Sequence, residues 1–305
     1  MIPYVKQPLS INEQILRLEG RGLNFCNKEL AAKYLHNISY YRLRAFTYPF
    51  QENDNVEANH HFKRDDIDFF DIIDLYLFDR RLRNLVFNEI EKIEVSVRTI
   101  ISQTYSLKND DSHWYLDNRY FSCDVESLQK EIEKEVRRSN EDFIKHYFRK
   151  YDYPELPPSW MVLEVTSFGT ISRLYKYLKK SPEKKKVALY FGITDVEIFA
   201  NWLHALSNLR NYCAHHSRIW NRRYPVHIIL PRDTINQFIP RENITHIKQN
   251  KIFALLSAIK YLADIISPGN NFKGQLYHLL ESKHNLLSLG EMGFPDNWKS
   301  FPIWE

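Results

Sequence analysis

The chain has 305 residues, of which 44% are hydrophobic and 26% are charged. This balance is typical of a globular protein with a sizeable core and one or two domains, and its eight glycines and 13 prolines leave little room for disordered linkers or glycine-rich phosphate loops. The formal net charge of +4 is too small by itself to indicate nucleic-acid binding.

The three cysteines, Cys26, Cys123 and Cys213, lie far apart and are odd in number. They support neither a disulfide framework nor a zinc knuckle, so we expect a reducing, cytoplasmic environment. No signal peptide is expected from the N-terminal residues. The most apolar long segment, 252–266, is too short and too interrupted by charge to span a bilayer, so no membrane partner is expected.

The first long element is predicted by apolar residues that recur every three or four positions from Leu75 to Ile100. This period indicates an amphipathic helix, on which Glu94 and Arg98 are spaced as an ion pair. A second helix is predicted from Asp124 to Lys150. A proline-rich break follows it, and a third helix is predicted from Trp160 to Lys180.

A short helix comes next, with Ser181 as its cap, Pro182 at its first position and Gly192 at its end. Thr194 and Glu197 then have the spacing of a capping box, which predicts the start of another helix. One face of that helix carries apolar residues at helical spacing: Trp202, Leu206, Leu209 and Cys213.

The C-terminal third begins with a loop or extended piece and continues with helices predicted over Asn243–Ser267 and Phe272–Ser282. No segment alternates as a strand would. The sequence therefore predicts an all-α protein with a helical bundle core. We expect three parts. Residues 1–61 form an accessory segment packed on the core, residues 62–285 form the main helical domain, and residues 286–305 form an aromatic tail packed on the core.

The stretch LSNLRNYCAHHSRIWNRR, Leu206–Arg223, carries the most distinctive chemistry. Asn211 and His215 are four residues apart and share a helical face, whereas Arg210 lies well round the helix from His215. A distorted helix end could close part of this offset. A second copy of the chain, in a symmetric dimer, could also supply the missing side chain.

Histidine can take and give protons near neutral pH, and arginine binds phosphate oxygens with a planar fork. Together they suit RNA transesterification, in which the 2′-hydroxyl attacks the neighbouring phosphate without a metal ion. Asn211 would orient the histidine or the phosphate. Neither a metal nor a cofactor is expected.

The segment RNYCAH resembles the Arg-polar-x-x-x-His signature of HEPN ribonucleases, and the wider sequence resembles the abortive-infection (Abi) proteins of the AbiD/AbiF type. Five boxes occur in the same order as in that family: 38–50, 75–101, 157–178, 201–223 and 292–304. The resemblance implies a HEPN-like helical bundle, a homodimer and a metal-independent endoribonuclease in phage defence or a toxin–antitoxin system. An antitoxin, protein or RNA, would be a further partner.

The resemblance assigns the motif arginine to Arg210, the polar residue to Asn211 and the histidine to His215. His216 also fits the spacing that the family tolerates, but we prefer His215 because it shares the face of Asn211. The alternatives are a helix-end hydrogen-bond network that only stabilises the fold, and a HEPN module that binds RNA, a nucleotide or a protein without cutting. A metal site at Cys213 is disfavoured because further ligands would have to come from elsewhere.

Basic residues interleaved with aromatic ones follow the motif and suit a groove for single-stranded RNA. The alternative is a solvated loop. The residues predicted to contact RNA are Arg218, Trp220, Arg222 and Arg223. Elsewhere we favour structural explanations: packing and surface ion pairs for Tyr40–Phe46, a solvated face for Lys176–Lys186, and an internal ion-pair network joining Arg80 and Arg83 to Glu89 and Glu94.

Overall fold

The computed structural model describes residues 3–4, 7–53, 60–282 and 284–305. These residues form 13 α-helices and contain no β-strand, only isolated bridges. The predicted all-α fold class is confirmed. None of the described helices combines the length and the apolar character that crossing a bilayer requires.

The chain divides into two compact units, and the first comprises residues 1–82 together with 278–288. Its helices are α1 (Ile11–Glu19), α2 (Lys28–Ile38), α3 (Tyr40–Thr47) and the first part of α4 (Phe69–Asn109). Ser10 and Glu13 form a capping box at the start of α1. The core of this unit is built from apolar residues on the facing sides of the helices: Leu18, Leu35, Leu43, Phe46, Ile72 and Phe78.

The second unit comprises residues 83–277 and 289–305, and it contains the rest of α4. The helices that follow are α5 (Glu126–Arg137), α6 (Asp142–Lys150), α7 (Ser159–Val165), α8 (Phe168–Tyr177), α9 (Pro182–Tyr190), α10 (Val196–Ala214), α11 (Arg241–Ile244), α12 (Ile252–Ile266) and α13 (Phe272–Glu281), of which all but the last turn belongs to this unit. Helix α10 packs against α8, α9 and α12, which places it at the centre of the unit.

Two predicted helices are each interrupted. The segment predicted as Asp124–Lys150 is α5 and α6, because Ser139 turns the chain by accepting from the backbone N–H of Glu141. The segment predicted as Trp160–Lys180 is α7 and α8. Ser167 separates them, since its hydroxyl caps α8 and its own N–H donates to a carboxylate of α5 at 2.8 Å.

Two predicted helix starts are wrong. The helix predicted from Asn243 begins at Ile252, after the separate short helix α11. Helix α10 is capped by Asp195 and not by Thr194, because the Asp195 carboxylate accepts from the first free N–H groups of the helix. The predicted cap of α9 is confirmed, with Ser181 at the cap and proline at the first position.

The aromatic C-terminal residues from 289 onward belong to the second unit. Trp298 and Trp304 are buried, and their ring centroids lie 5.5 Å apart. Both rings also contact Phe253 of α12, and Tyr277 donates to the carbonyl of Trp304 at 2.7 Å. The tail is therefore part of the core of this unit, while the three-part division of the chain stays a prediction.

Candidate active site

Helix α10 is held rigidly along its buried face. The four residues predicted to form that face, Trp202, Leu206, Leu209 and Cys213, are all buried. The indole N–H of Trp202 also donates to the carbonyl of Ile229 at 2.7 Å. Because the core fixes this side of the helix, its opposite side and its C-terminal end present side chains at defined positions.

The helix ends at the two adjacent histidines. His215 is the C-terminal cap, and its N–H donates to the carbonyl of Asn211 at 2.9 Å. His216 follows with a φ of 55°, in the left-handed region, so the chain leaves the helix axis there. Asn211, His215 and His216 are all exposed. The structure therefore brings Asn211 and His215 onto neighbouring turns, as predicted.

Arg210 points towards α4 and away from this exposed face. Its Nε lies 3.6 Å from Oε2 of Glu94, and its Cζ lies 5.7 Å from the ring centroid of Phe87. Five residues at ~100° each put Arg210 about 140° round the helix from His215. Within one chain, the motif arginine and the motif histidine thus occupy different sides of α10.

Glu94 is shared by two arginines. Its Oε1 accepts from Arg98, while its Oε2 faces Arg210. Arg98 is further fixed by donating to the carbonyls of Glu164 at 2.6 Å and Thr166 at 3.0 Å. One carboxylate cannot neutralise two guanidinium groups, so this trio keeps a net positive charge. The observed ion pairs join Glu94 to Arg98 and Arg210, while the pairing of Arg80 and Arg83 with Glu89 and Glu94 stays a prediction.

Sequence reasoning missed that Arg210 contacts Phe87 and Glu94, which are more than a hundred positions away along the chain. A signal for them was present, because Phe87, Glu94 and Arg98 are spaced by seven and four residues and so share one face of α4. What the sequence does not contain is the crossing of α4 and α10 that brings this face to Arg210.

The basic segment after the motif folds back on the end of α10. The Cζ of Arg222 lies 4.2 Å from the ring centroid of Tyr212, and its Nε donates to the carbonyl of Arg218 at 2.7 Å. Arg223 is exposed. The prediction that Trp220 stacks on RNA is corrected, because its side chain is only 1% exposed and its ring is therefore covered by protein.

A lysine from a distant position adds to this basic region. Lys251 donates to Asn221 Oδ1 at 2.7 Å and to the carbonyl of Glu291 at 2.8 Å. Burial lowers the pKa of Lys251, and repulsion from Arg223, Lys248 and Arg218 contributes while the Glu291 carboxylate opposes the shift. Positive charge is therefore concentrated where the chain leaves the motif.

The described residues form no set of donors suited to a metal ion. Across residues 3–4, 7–53, 60–282 and 284–305, no three histidine, cysteine, aspartate or glutamate side chains come together in a group that could hold a metal ion. Cys213 lies on the buried face of α10, whereas His215 and His216 are exposed. The polar side chains exposed at the end of α10 are those of Asn211, His215 and His216.

The family model described as Abi-like protein matches residues 33–221, which is more than half of the chain and includes Arg210, Asn211 and His215. No curated protein matches the chain, and no solved structure matches it.

Proposed function

The chain belongs to the Abi-like protein family, and from this premise we propose that it is an endoribonuclease that acts in abortive infection by cutting unpaired RNA. The substrate class is a tRNA loop or an mRNA, and the active site is of the HEPN type found in AbiD/AbiF proteins. Family membership indicates phage defence as the setting. In a toxin–antitoxin arrangement, an antitoxin of protein or RNA would silence the enzyme.

The proposed reaction needs only the chain's own residues. His215 takes the proton of a ribose 2′-hydroxyl, and the resulting oxygen attacks the adjacent phosphorus. A new bond forms between O2′ and phosphorus, the bond from phosphorus to O5′ breaks, and O5′ takes the proton back from His215 and leaves as the 5′-hydroxyl. Arg210 stabilises the additional negative charge on the phosphate oxygens, and Asn211 orients the reacting groups. The products are a 2′,3′-cyclic phosphate and a 5′-hydroxyl.

The position of Arg210 is the observation that most supports its proposed role in stabilising negative charge on the phosphate. A half-exposed guanidinium held by Glu94 and Phe87 is already oriented, so it loses little side-chain entropy on binding a phosphate. The shared carboxylate leaves net positive charge for the anion. Arg218, Arg222 and Arg223 would guide the RNA backbone to this position.

We propose further that the active site is completed by a homodimer. Because Arg210 and His215 lie about 140° apart on α10, one chain does not present both to the same phosphate. A two-fold axis beside α10 would bring Arg210 of one protomer next to His215 of the partner subunit.

A cleavage assay tests the proposed function. Wild type, Arg210→Ala and His215→Ala are incubated in EDTA with mixed tRNA and with an unstructured RNA. We expect the wild type to cut and both variants to be slower by at least about 100-fold, since general acid–base and electrostatic groups each contribute on that scale. His227→Ala, another exposed histidine, is the matched control and should cut normally.

Two results would contradict the nuclease. Cleavage that survives in His215→Ala would exclude the assigned acid–base group, unless the His215→Ala, His216→Ala double variant abolishes it. RNA that is bound but never cut would favour the non-catalytic module, because the pairing of Arg210 with Glu94 is also what a purely structural arginine shows.

Mixing the two inactive variants tests the composite site. A heterodimer of Arg210→Ala with His215→Ala would hold one intact pair if the residues come from different protomers, so activity should partly return on mixing. If both residues act within one chain, every site in the mixture is defective and no activity returns.

A further inference from the structure

The first unit contains a cleft that the motif does not involve. Its volume is about 520 Å³, and it lies at the C-terminal end of α1 and the start of α3. That volume is within the range of about 300–1,000 Å³ that small-molecule sites occupy. Every residue that lines it belongs to the first unit.

The lining of the cleft is basic. Arg17, Arg21 and Arg44 contribute to it, and none of its described lining residues is acidic. Glu13, one turn before Arg17, is hydrogen-bonded by the N–H and hydroxyl of Ser10, both at 2.7 Å, and Glu19 pairs with Lys28 at 2.6 Å. In the described part of the chain, none of the three arginines forms an ion pair within 4 Å, although the charge of Arg17 also acts at longer range on the Glu13 carboxylate.

Two of these arginines contact side chains other than carboxylates. Arg21 donates to the hydroxyl of Tyr40 at 2.8 Å. Nη2 of Arg44 lies 3.3 Å from Nε2 of His60, whose other ring nitrogen lies 2.8 Å from Oδ1 of Asn53. A guanidinium has five N–H donors, so these contacts fix the side chains and leave donors for an anion.

The cleft also offers groups that a bare anion would not use. Tyr41 lines it and is 84% exposed, which makes its ring available for stacking. Gln14 donates to the carbonyl of Leu9 at 2.9 Å, so its Oε1 is fixed as an acceptor. That oxygen is buried and has no hydrogen-bond partner. An unpartnered buried acceptor is costly to the fold.

We propose that this cleft binds a nucleoside 5′-phosphate, either free or at the end of an RNA. The arginines bind the phosphate, and the exposed tyrosine stacks on the base. The proposal goes beyond the nuclease and does not rest on it, since it concerns other residues in the other unit.

Calorimetric titration of the full chain tests whether the cleft binds a nucleoside 5′-phosphate. The chain carries His215→Ala, so that the RNA probes are not cut during the titration. The probes are the four nucleoside 5′-monophosphates, the matching nucleosides, inorganic phosphate, and one hexaribonucleotide with a 5′-phosphate or a 5′-hydroxyl. At least one monophosphate should bind more tightly than both its nucleoside and inorganic phosphate. Tighter binding of the phosphorylated hexamer than of the monophosphates would assign the ligand to an RNA end, and the reverse would assign it to a free nucleotide.

Matched variants separate specific binding from general charge. Arg17→Glu should weaken binding by about 10- to 100-fold, the scale of one charged hydrogen-bonded contact. Lys33→Glu makes the same charge change at an exposed position of α2 outside the cleft and should have little effect. Tyr41→Ala should weaken binding by about 5- to 100-fold, and Tyr41→Phe, which keeps the ring, should not.

Three outcomes would overturn the proposal. They are no binding of any monophosphate or hexamer at millimolar concentration, equal binding by wild type and Arg17→Glu, and inorganic phosphate that binds as tightly as the nucleotides. Because Arg17 and Tyr41 are exposed, their substitution leaves the core of the unit in place. A failed titration would leave the cleavage assay unaffected, so the two proposals are judged separately.

Discussion

Glu94 should be coupled to two arginines with different strengths. Its contact with Arg98 is a charged hydrogen bond in a mostly buried setting, with side chains 14% and 9% exposed. Its contact with Arg210 is longer, at 3.6 Å, and the arginine is 37% exposed, so water screens it. Replacing Glu94 with glutamine keeps the shape and removes the charge.

The expected loss of stability follows from these two contacts. A hydrogen bond between charged groups contributes about 1.5–3 kcal/mol and a neutral one about 0.5–1.5 kcal/mol, so the Arg98 contact should lose roughly 1–1.5 kcal/mol. The screened Arg210 contact should lose about 0.3–1 kcal/mol. Glu94→Gln should therefore lower the free energy of unfolding of the second unit by about 1.3–2.5 kcal/mol.

Tryptophan fluorescence in urea is the assay that isolates this unit. All six tryptophans lie in the second unit, so their signal reports its unfolding without the first. Double-mutant cycles of Glu94→Gln with Arg98→Met and with Arg210→Met then measure the two couplings. The exposed Glu133–Arg137 pair, also spaced by four residues, is the matched control and should show about 0.5 kcal/mol or less.

The cycles can refute this account of the site. A coupling of Glu94 to Arg210 that equals or exceeds its coupling to Arg98 would mean that water does not screen the contact between Glu94 and Arg210. Zero coupling to both arginines would mean that Glu94 does not hold the motif arginine at all.

Two further predictions concern the cores of the units. In urea titrations, Trp304→Ala should destabilise the second unit by about 3–5 kcal/mol, because removing its buried ring leaves a cavity. The control Trp160→Ala, at a side chain that is 53% exposed, should change the stability by about 0.5 kcal/mol or less. Burial lowers the pKa of His284, whose ring nitrogens have no hydrogen-bond partner beside Phe78. Between the lowered pKa and 6.5, the unfolded chain therefore binds more protons than the folded chain, and the stability falls as the pH drops through that window. In thermal melts, His284→Phe should lack the part of this loss that comes from His284. The control His36→Phe, at an exposed position, should retain it.

Periodicity predicted those parts of the fold in which a helix packs one face on the core. The apolar spacing from Leu75 onward gave the long helix α4, and the face beginning at Trp202 gave α10. It failed where a local bond ends a helix inside an apolar pattern. Ser167 interrupts the predicted third helix through a bond to a carboxylate of α5, and no local pattern contains that partner.

The candidate site was predictable in its chemistry and not in its geometry. The motif placed Asn211 and His215 on one face, and the structure keeps them there. The pairing of Arg210 with Glu94 depends on how two distant helices cross. The burial of Trp220 also escaped prediction, because a loop has no period from which the inward side can be derived.

The basic cleft of the first unit shows the same limit. Tyr40–Phe46 was interpreted as packing with surface ion pairs, since arginines between aromatic residues usually serve that purpose. In the structure, Arg44 faces a histidine instead of a carboxylate, and Tyr41 stays exposed. Arg21, in the turn before Leu23, and His60 line the same cleft although they are 39 positions apart, and sequence spacing alone does not reveal that.

The chemistry of the RNA ends tests the central claim most directly. Fragments made by the wild type in EDTA are analysed for their termini by mass spectrometry, beside an Arg210→Ala control. The proposed transesterification predicts 2′,3′-cyclic phosphate and 5′-hydroxyl ends that are absent from the control. Fragments with 3′-hydroxyl and 5′-phosphate ends, or cutting that appears only when magnesium is added, would contradict the assignment of Arg210 and His215 as a metal-independent ribonuclease site.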